Sequence, residues 1–304
     1  MSHPDGGLLK EKDILKIRED IARLRKDKNI VNWDIQDDVF TLLENECKVF
    51  YYPISDLQLW AFYHKDEQED GSLRKFVFIN TSLPYEKQIF AAAHELAHIW
   101  GVSEDVSETL VTSDDEDSPI RMDEVGSVHP SKDELIANRF AAEFLMNAQT
   151  VRDLYIKCDN RKTAFPKEVE QIAFVLCLMN YYLVPYKMTV LRLEELDLIS
   201  PQEEESLLAV PREGENSIRQ LQKRLSLCER NNEITKTKKF ADFIDLAIQD
   251  YKKELITFAK TKQLLSIFDL TPESMGISKE KDHEFFSSEE LDAILEDECD
   301  NLKK

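Results

Sequence analysis

The chain has 304 residues, of which 42% are hydrophobic, and its 60 acidic and 39 basic side chains give a formal charge of −21. This length suffices for one large hydrophobic core, or for a main domain with a smaller one. Seven glycines and ten prolines exclude a fibrous or low-complexity protein, and so acidic a surface disfavours direct binding of nucleic acid.

The N-terminal segment and the cysteines indicate the expected compartment. Residues 1–7 are polar and lack the apolar stretch of a secretory signal, and no apolar run approaches the ~18 residues of a membrane span. The five cysteines are scattered and form no CxxC pair, so neither a disulfide framework nor a cysteine zinc site is expected. We therefore expect a cytoplasmic protein with no membrane segment.

The first third of the chain combines helices and strands. Spacings of three and four between apolar residues predict amphipathic helices at 8–28 and 34–46. Three stretches rich in aromatic and β-branched residues then predict strands at 47–54, 57–64 and 73–81. Asp70-Gly71 is typical of a hairpin turn between the last two strands. A small, mostly antiparallel, three-stranded sheet is therefore expected.

A predicted helix at 84–100 comes next, with Pro84 in its first turn and Gly101 just beyond its end. An acidic loop at about 103–130 separates it from further predicted helices at 131–147, 149–158, 166–182 and 188–196. Prolines and carboxylates at 201–217 indicate a linker. Beyond it, the pattern predicts helices at 218–230, 238–268 and 288–298.

These elements predict an α+β, mostly helical fold. A domain at 1–200 would pack its small sheet on helix 84–100, and the linker 201–217 would lead to an all-helical region at 218–304. Many apolar residues lie in that last region. They would either dock on the first domain or form a surface for a partner or for self-association.

Helix 84–100 carries the chemistry. His94-Glu95-Leu96-Ala97-His98 is an HExxH motif, and in a helix its two histidines lie one turn apart on the same face, where both can ligate one cation. Glu95 projects about 100° away, where it can reach a water molecule without ligating. The motif thus predicts a zinc site with Glu95 as the general base for attack of water on a carbonyl.

A catalytic zinc site usually has a third protein ligand, and the sequence offers three candidates. Glu134 opens the helix at 131–147, Glu104 extends the motif to HExxHxxGxxE, and His129 lies in the loop. Glu134 could instead complete a capping box with Ser131. In favour of Glu134, Asn138 lies one turn later and could bond the far nitrogen of a histidine ligand.

Two stretches resemble the ImmA/IrrE family of metallopeptidases. AAAHELAHIWGVS at 91–103 matches the family's HELxH helix, and ELIANRFAAEFLM at 134–146 matches its second helix in register. A looser likeness extends over 169–200. In two respects the chain departs from the family, which usually has Pro where Asn147 stands and a shorter, less acidic loop before Glu134.

The resemblance implies a gluzincin-like fold with His94, His98 and Glu134 as metal ligands and Glu95 as general base. It implies Zn²⁺ as the cofactor, and Mn²⁺ also suits a His/His/Glu ligand set. It further implies an intracellular endopeptidase that cleaves a protein partner such as a helix-turn-helix repressor, and so regulates transcription or a stress response. The alternative function is a non-catalytic, metal-stabilised binding or scaffold component of a toxin–antitoxin or defence module.

A second interpretation of 184–200 would make it a DNA-reading helix. Lys187 and Arg192 are its only basic residues, and acidic residues follow at once. The pattern therefore favours a helix that packs in the core over one that contacts DNA.

Overall fold

The computed structural model describes most of the chain. The described residues are 9–67, 71–103, 108–112, 132–159, 167–214, 217–227, 229–240 and 242–278. The chain divides into two compact units, Met1–Lys239 and Phe240–Lys304. The predicted division placed a boundary at 201–217 instead.

Two helices open the first unit. α1 spans Glu11–Asp27 and α2 spans Asp38–Glu46, each slightly shorter than predicted. The apolar residues whose spacing predicted α1 include its buried face, since Ile17, Ile21 and Leu24 all lie in the core.

The three predicted strands form one sheet with two further strands. β1 (Lys48–Tyr52), β2 (Leu59–Glu67) and β3 (Leu73–Asn80) lie within or close to the predicted ranges. β4 (Glu108–Thr112) and the two-residue β5 (Lys239–Phe240) complete the strand order β4-β2-β3-β1-β5. β2 pairs antiparallel with β3 and β4, whereas β1 runs parallel to β3.

Strand β4 lies inside the segment predicted as an acidic loop. Its backbone pairs with β2, so that Val111 lies opposite Ala61 and Thr112 opposite Leu59. Two threonines and a valine favour an extended backbone here, and the edge of β2 provides its hydrogen-bond partner. The acidic residues around this short stretch led to the prediction of a loop. The predicted acidic run 114–117 lies outside the described residues.

α3 (Tyr85–Ile99) and α4 (Lys132–Leu145) confirm the predicted helices 84–100 and 131–147 and pack against each other. Small side chains on both helices allow this close approach, since Ala92, Ala93, Ala137 and Ala141 are fully buried. Gly101 follows the end of α3 with φ of 68°, a conformation that glycine adopts without strain. The sheet lies against α3, which is thus the central helix of the unit.

The remaining helices of the first unit follow in chain order. They are α5 (Ala148–Asp159), α6 (Lys167–Tyr182), α7 (Tyr186–Glu195), α8 (Pro201–Leu208) and α9 (Ile218–Arg224). α8 occupies the first half of the predicted linker. Pro201 and Glu203, interpreted as linker composition, instead start this helix, in which Ser200 and Glu203 form a capping box.

The second unit contains two helices where one long helix was predicted at 238–268. α10 spans Phe243–Lys252 and α11 spans Phe258–Ser266. Glu254 between them has a φ of +61°, and the Thr257 side chain caps α11. The break corrects the prediction, because capping signals compete with an uninterrupted apolar pattern. The predicted helix 288–298 lies outside the described residues.

Across the described ranges, no single helix has both the length and the apolar composition of a membrane span. The pair Val169–Tyr182 and Tyr186–Glu195 meets that test only when taken together, and it is bent by 108°.

Candidate metal centre

The two histidines of the HExxH motif point their ring nitrogens at one place. His94 and His98 lie one turn apart on α3, and their Nε2 atoms are 3.2 Å apart. Two nitrogens bound to a tetrahedral zinc ion at about 2.05 Å would be roughly 3.3 Å apart. The spacing therefore fits shared ligation of one ion.

Glu134 from α4 completes the cluster. Its carboxylate oxygens lie 3.1 Å from Nε2 of His94 and 3.7 Å from Nε2 of His98. One ligand atom from each of the three residues falls within 4.8 Å of the others, as a metal site requires. Two imidazoles and a carboxylate form a donor set that suits zinc and also manganese.

The far nitrogens of both histidines contact polar side chains. Nδ1 of His94 donates a hydrogen bond to Oδ1 of Asn138 at 2.9 Å, and Nδ1 of His98 lies 2.7 Å from the Ser103 hydroxyl. A histidine that donates from Nδ1 keeps its Nε2 lone pair for a cation. The predicted contact of Asn138 is confirmed, and the residues present fit a bound metal.

Sequence reasoning missed Ser103. It lies five residues after His98, just past the turn at Gly101, so helix periodicity could not align it with a histidine ring. A small polar residue directly after the glycine turn is the only sequence signal for this contact.

The electrostatics of the cluster favour positive charge. Burial by itself lowers the pKa of His94, but the hydrogen bond to Glu134 and the charges of Glu95 and Glu134 outweigh it, and the pKa is raised. Burial by itself raises the pKa of Glu134, whereas His94 and His98 lower it more. The carboxylate thus stays ionised where a cation would bind.

Glu95 lies within the same buried region. Its side chain is 0% exposed, as against 1% for His94 and 2% for His98. The charge of Glu95 contributes to the raised pKa of His94. The structure thus brings together His94, His98 and Glu134, and Glu95 follows His94 on the same buried helix.

The rival third ligands, Glu104 and His129, lie outside the described residues, as does Ser131 of the alternative capping box. A tyrosine hydroxyl can stabilise a developing oxyanion by donating a hydrogen bond to it, but the three tyrosines of α6 and α7 donate elsewhere. The hydroxyl groups of Tyr181, Tyr182 and Tyr186 donate to Asp34, Thr150 and the carbonyl of Leu207.

α4 is held in place by a buried ion cluster. Glu143 lies two to three turns beyond Glu134, and its carboxylate is 2.7 Å from Arg192 of α7, 3.3 Å from Arg18 of α1 and 3.5 Å from Arg139. Arg192 also donates to the carbonyl of Met146. Because Arg192 is buried, α7 packs in the core as predicted.

Comparison with known protein families gives one match. Residues 45–194 match the family Peptidase_M78, described as an IrrE N-terminal-like domain, and this stretch contains the sheet from β1 to β4, α3, α4 and nearly all of α7. Neither a curated protein nor a solved structure matches the chain.

Proposed function

Residues 45–194 belong to the IrrE N-terminal-like family of metallopeptidases, as the resemblance in the sequence implied, and we propose that the chain is a zinc-dependent endopeptidase. The observation that carries the proposal is the cluster of His94, His98 and Glu134 on two packed helices, with the buried carboxylate of Glu95 next to His94 in the sequence of α3.

The proposed chemistry divides between the metal and the protein. Zinc held by the three ligands would act as a Lewis acid and lower the pKa of a water molecule to about 7. Glu95 would take a proton from the water molecule while the water attacks the peptide carbonyl. Glu95 would then deliver this proton to the leaving nitrogen. Asn138 and Ser103 hold the imidazoles in orientation throughout.

The proposed substrate is a regulatory protein of the cytoplasm, of which a helix-turn-helix repressor is an example. The family resemblance supports this class. The formal charge of −21 supports it as well, because a strongly acidic surface attracts a basic partner and speeds its association.

One observation favours the alternative of a non-catalytic component with a metal that only stabilises the fold. Structural metal sites are closed, and both histidines here are almost fully buried among the atoms of the chain. A purely structural site has no use for Glu95, whose ionisable side chain is costly to bury. We therefore rank this alternative second.

The test compares the wild-type chain with Glu95→Gln, both loaded with one equivalent of zinc. Each is incubated with a proteome-derived peptide library, and new N-termini are identified by mass spectrometry. We expect cleavage by the wild type and a loss of about 10²-fold or more in the variant, with metal content unchanged. Equal cleavage by both proteins would exclude the mechanism, and cleavage by neither would favour the scaffold function.

A further inference from the structure

A cavity lies at the N-terminal end of α3, the helix that carries the two histidines of the metal centre. It encloses about 150 Å³ and is bordered by the first turns of α3 and α7, the end of α6, and residues in and between α8 and α9 (Leu208, Val210, Arg212 and Ile218). A cavity of this volume in a protein core can hold a molecule the size of benzene. Space for a small organic ligand is therefore present.

The charged side chains around this cavity are mainly basic. Lys87, Lys187 and Arg212 line it together with a single carboxylate, Glu86. Arg212 lies 3.5 Å from Glu86, so these two charges offset each other. Lys87 already interacts with other groups of the chain, which leaves Lys187 as the basic side chain of the wall to which an anion would be drawn. In a chain with a formal charge of −21, a cavity lined by three basic residues and one acidic residue is a local exception.

The two lysines differ in what surrounds them. Lys87 is only 5% exposed, and its Nζ lies 4.8 Å from the ring centroid of Trp60. Lys187 is half-buried, and among the described residues it has neither an ion pair nor a hydrogen-bond acceptor. A half-buried ammonium group at a cavity wall is stabilised when an anion enters the cavity.

Helix geometry adds to the positive potential. α3 and α7 both begin at the cavity after a proline N-cap, Pro84 and Pro185, and the first amide of α3 already donates to the carbonyl of Glu233. The N-terminal ends of helices carry partial positive charge and favour anions. The basic side chains and the helix N-termini thus both make the electrostatic potential in the cavity more positive.

Most of the rest of the wall is apolar. Met179, Leu208, Val210 and Ile218 line it, and the amide of Asn232 is a polar exception. An inorganic anion would leave the apolar side chains of the wall in contact with water. A carboxylate with a short apolar body would contact both the basic and the apolar side chains. We propose that the cavity binds a small organic carboxylate, with its charged end at Lys187 and its apolar body against Val210 and Leu208.

This binding site is separate from the metal centre. Lys87 precedes His94 by seven residues, which corresponds to about 10 Å along the axis of α3. The proposal does not depend on peptidase activity, and it is tested by binding alone.

The test uses the full chain and benzoate as the probe, with binding measured by isothermal titration calorimetry. Benzamide, which has the same shape without the charge, and inorganic phosphate, which has the charge without the apolar body, are the comparison ligands. We expect saturable binding of benzoate and at least ~10-fold weaker binding of the other two. Lys187→Met should weaken benzoate binding by about 10-fold or more.

Two further variants complete the test. Val210→Phe should reduce benzoate binding by filling the cavity while leaving every charge in place, and Lys16→Met, which removes an exposed lysine on α1, should leave it unchanged. The proposal is overturned if benzoate does not bind, if benzamide or phosphate binds as tightly, or if Lys187→Met and Val210→Phe both bind benzoate like the wild type.

Discussion

Nδ1 of His94 lies 2.9 Å from Oδ1 of Asn138, and this contact joins α3 to α4 directly behind the cluster of ligand atoms. Glu134 lies one turn before Asn138 on the same face of α4. A single helix therefore supplies both the third ligand and the group that orients the first, so the position of α4 determines the geometry of the centre.

Replacement of Asn138 should weaken metal binding without abolishing it. Asn138→Ala removes the acceptor that fixes the ring of His94, and such losses typically cost about 10–100-fold in metal affinity. Competition with a zinc chelator would measure the change. Gln58→Ala, which removes an exposed amide on the loop before β2, is the control and should bind zinc like the wild type. Unchanged affinity in Asn138→Ala would show that the hydrogen bond has no orienting role.

The identity of the third ligand can be tested by removing each candidate carboxylate. Glu134→Ala should lower zinc affinity by more than about 100-fold, because loss of a ligand costs more than loss of a group behind one. Glu104→Ala should bind zinc like the wild type. The reverse result, with zinc lost in Glu104→Ala and retained in Glu134→Ala, would assign the site to the extended motif HExxHxxGxxE.

The sequence was sufficient for those parts of the centre that depend on local helix geometry. A separation of four residues placed His98 one turn after His94, and likewise Asn138 after Glu134, so both pairs were predictable. Asn138 already favoured Glu134 over Glu104 and His129, and the family resemblance strengthened that choice, because helix geometry alone cannot bring two helices together. The contact of Ser103 depends on a turn whose path no periodicity describes.

Long-range pairing was the part of the fold that the sequence left open. Glu143 and Arg192 are 49 positions apart, and neither residue alone indicates a buried partner. Strand β4 likewise forms because β2 offers an edge for its backbone. The start of α8 was missed for a different reason, since proline followed by carboxylates is typical of linkers and of helix N-termini alike.

Loss of Arg192 should destabilise the fold of the first unit. Arg192→Met removes the shortest ion pair of Glu143 and leaves a carboxylate that is 5% exposed. Breaking a buried pair typically costs about 3–5 kcal/mol, and we expect the lower end because Arg18 and Arg139 remain close. Urea unfolding followed by circular dichroism would measure the change.

Two further variants test whether the loss of stability comes from the buried ion pair. Arg219→Met removes an arginine whose ion pair with Glu213 is solvent-exposed, and it should cost no more than about 1 kcal/mol. In the double variant Arg192→Met/Glu143→Leu, both members of the pair become apolar and part of the stability should return. A double variant less stable than Arg192→Met alone would contradict a penalty from the buried Glu143 carboxylate that has lost its shortest ion pair.

The same cluster should make the stability of the fold depend on pH in the acidic range. Burial by itself raises the pKa of Glu143, but the charge of Arg192 and its hydrogen bond outweigh it, and the pKa is lowered from 4.5. Because the folded pKa lies below the unfolded one, the carboxylate contributes its full stability above about pH 4.5. The contribution falls as the pH decreases toward the folded pKa.

Urea unfolding of the wild type and of Glu143→Gln from pH 7 to pH 3 would isolate this effect from the other acidic residues. The free energy of unfolding of the wild type should exceed that of the variant most at neutral pH. The difference between the two free energies should decrease as Glu143 is protonated. A gap that is constant across the range would mean that ionisation of Glu143 contributes nothing to the stability of α4.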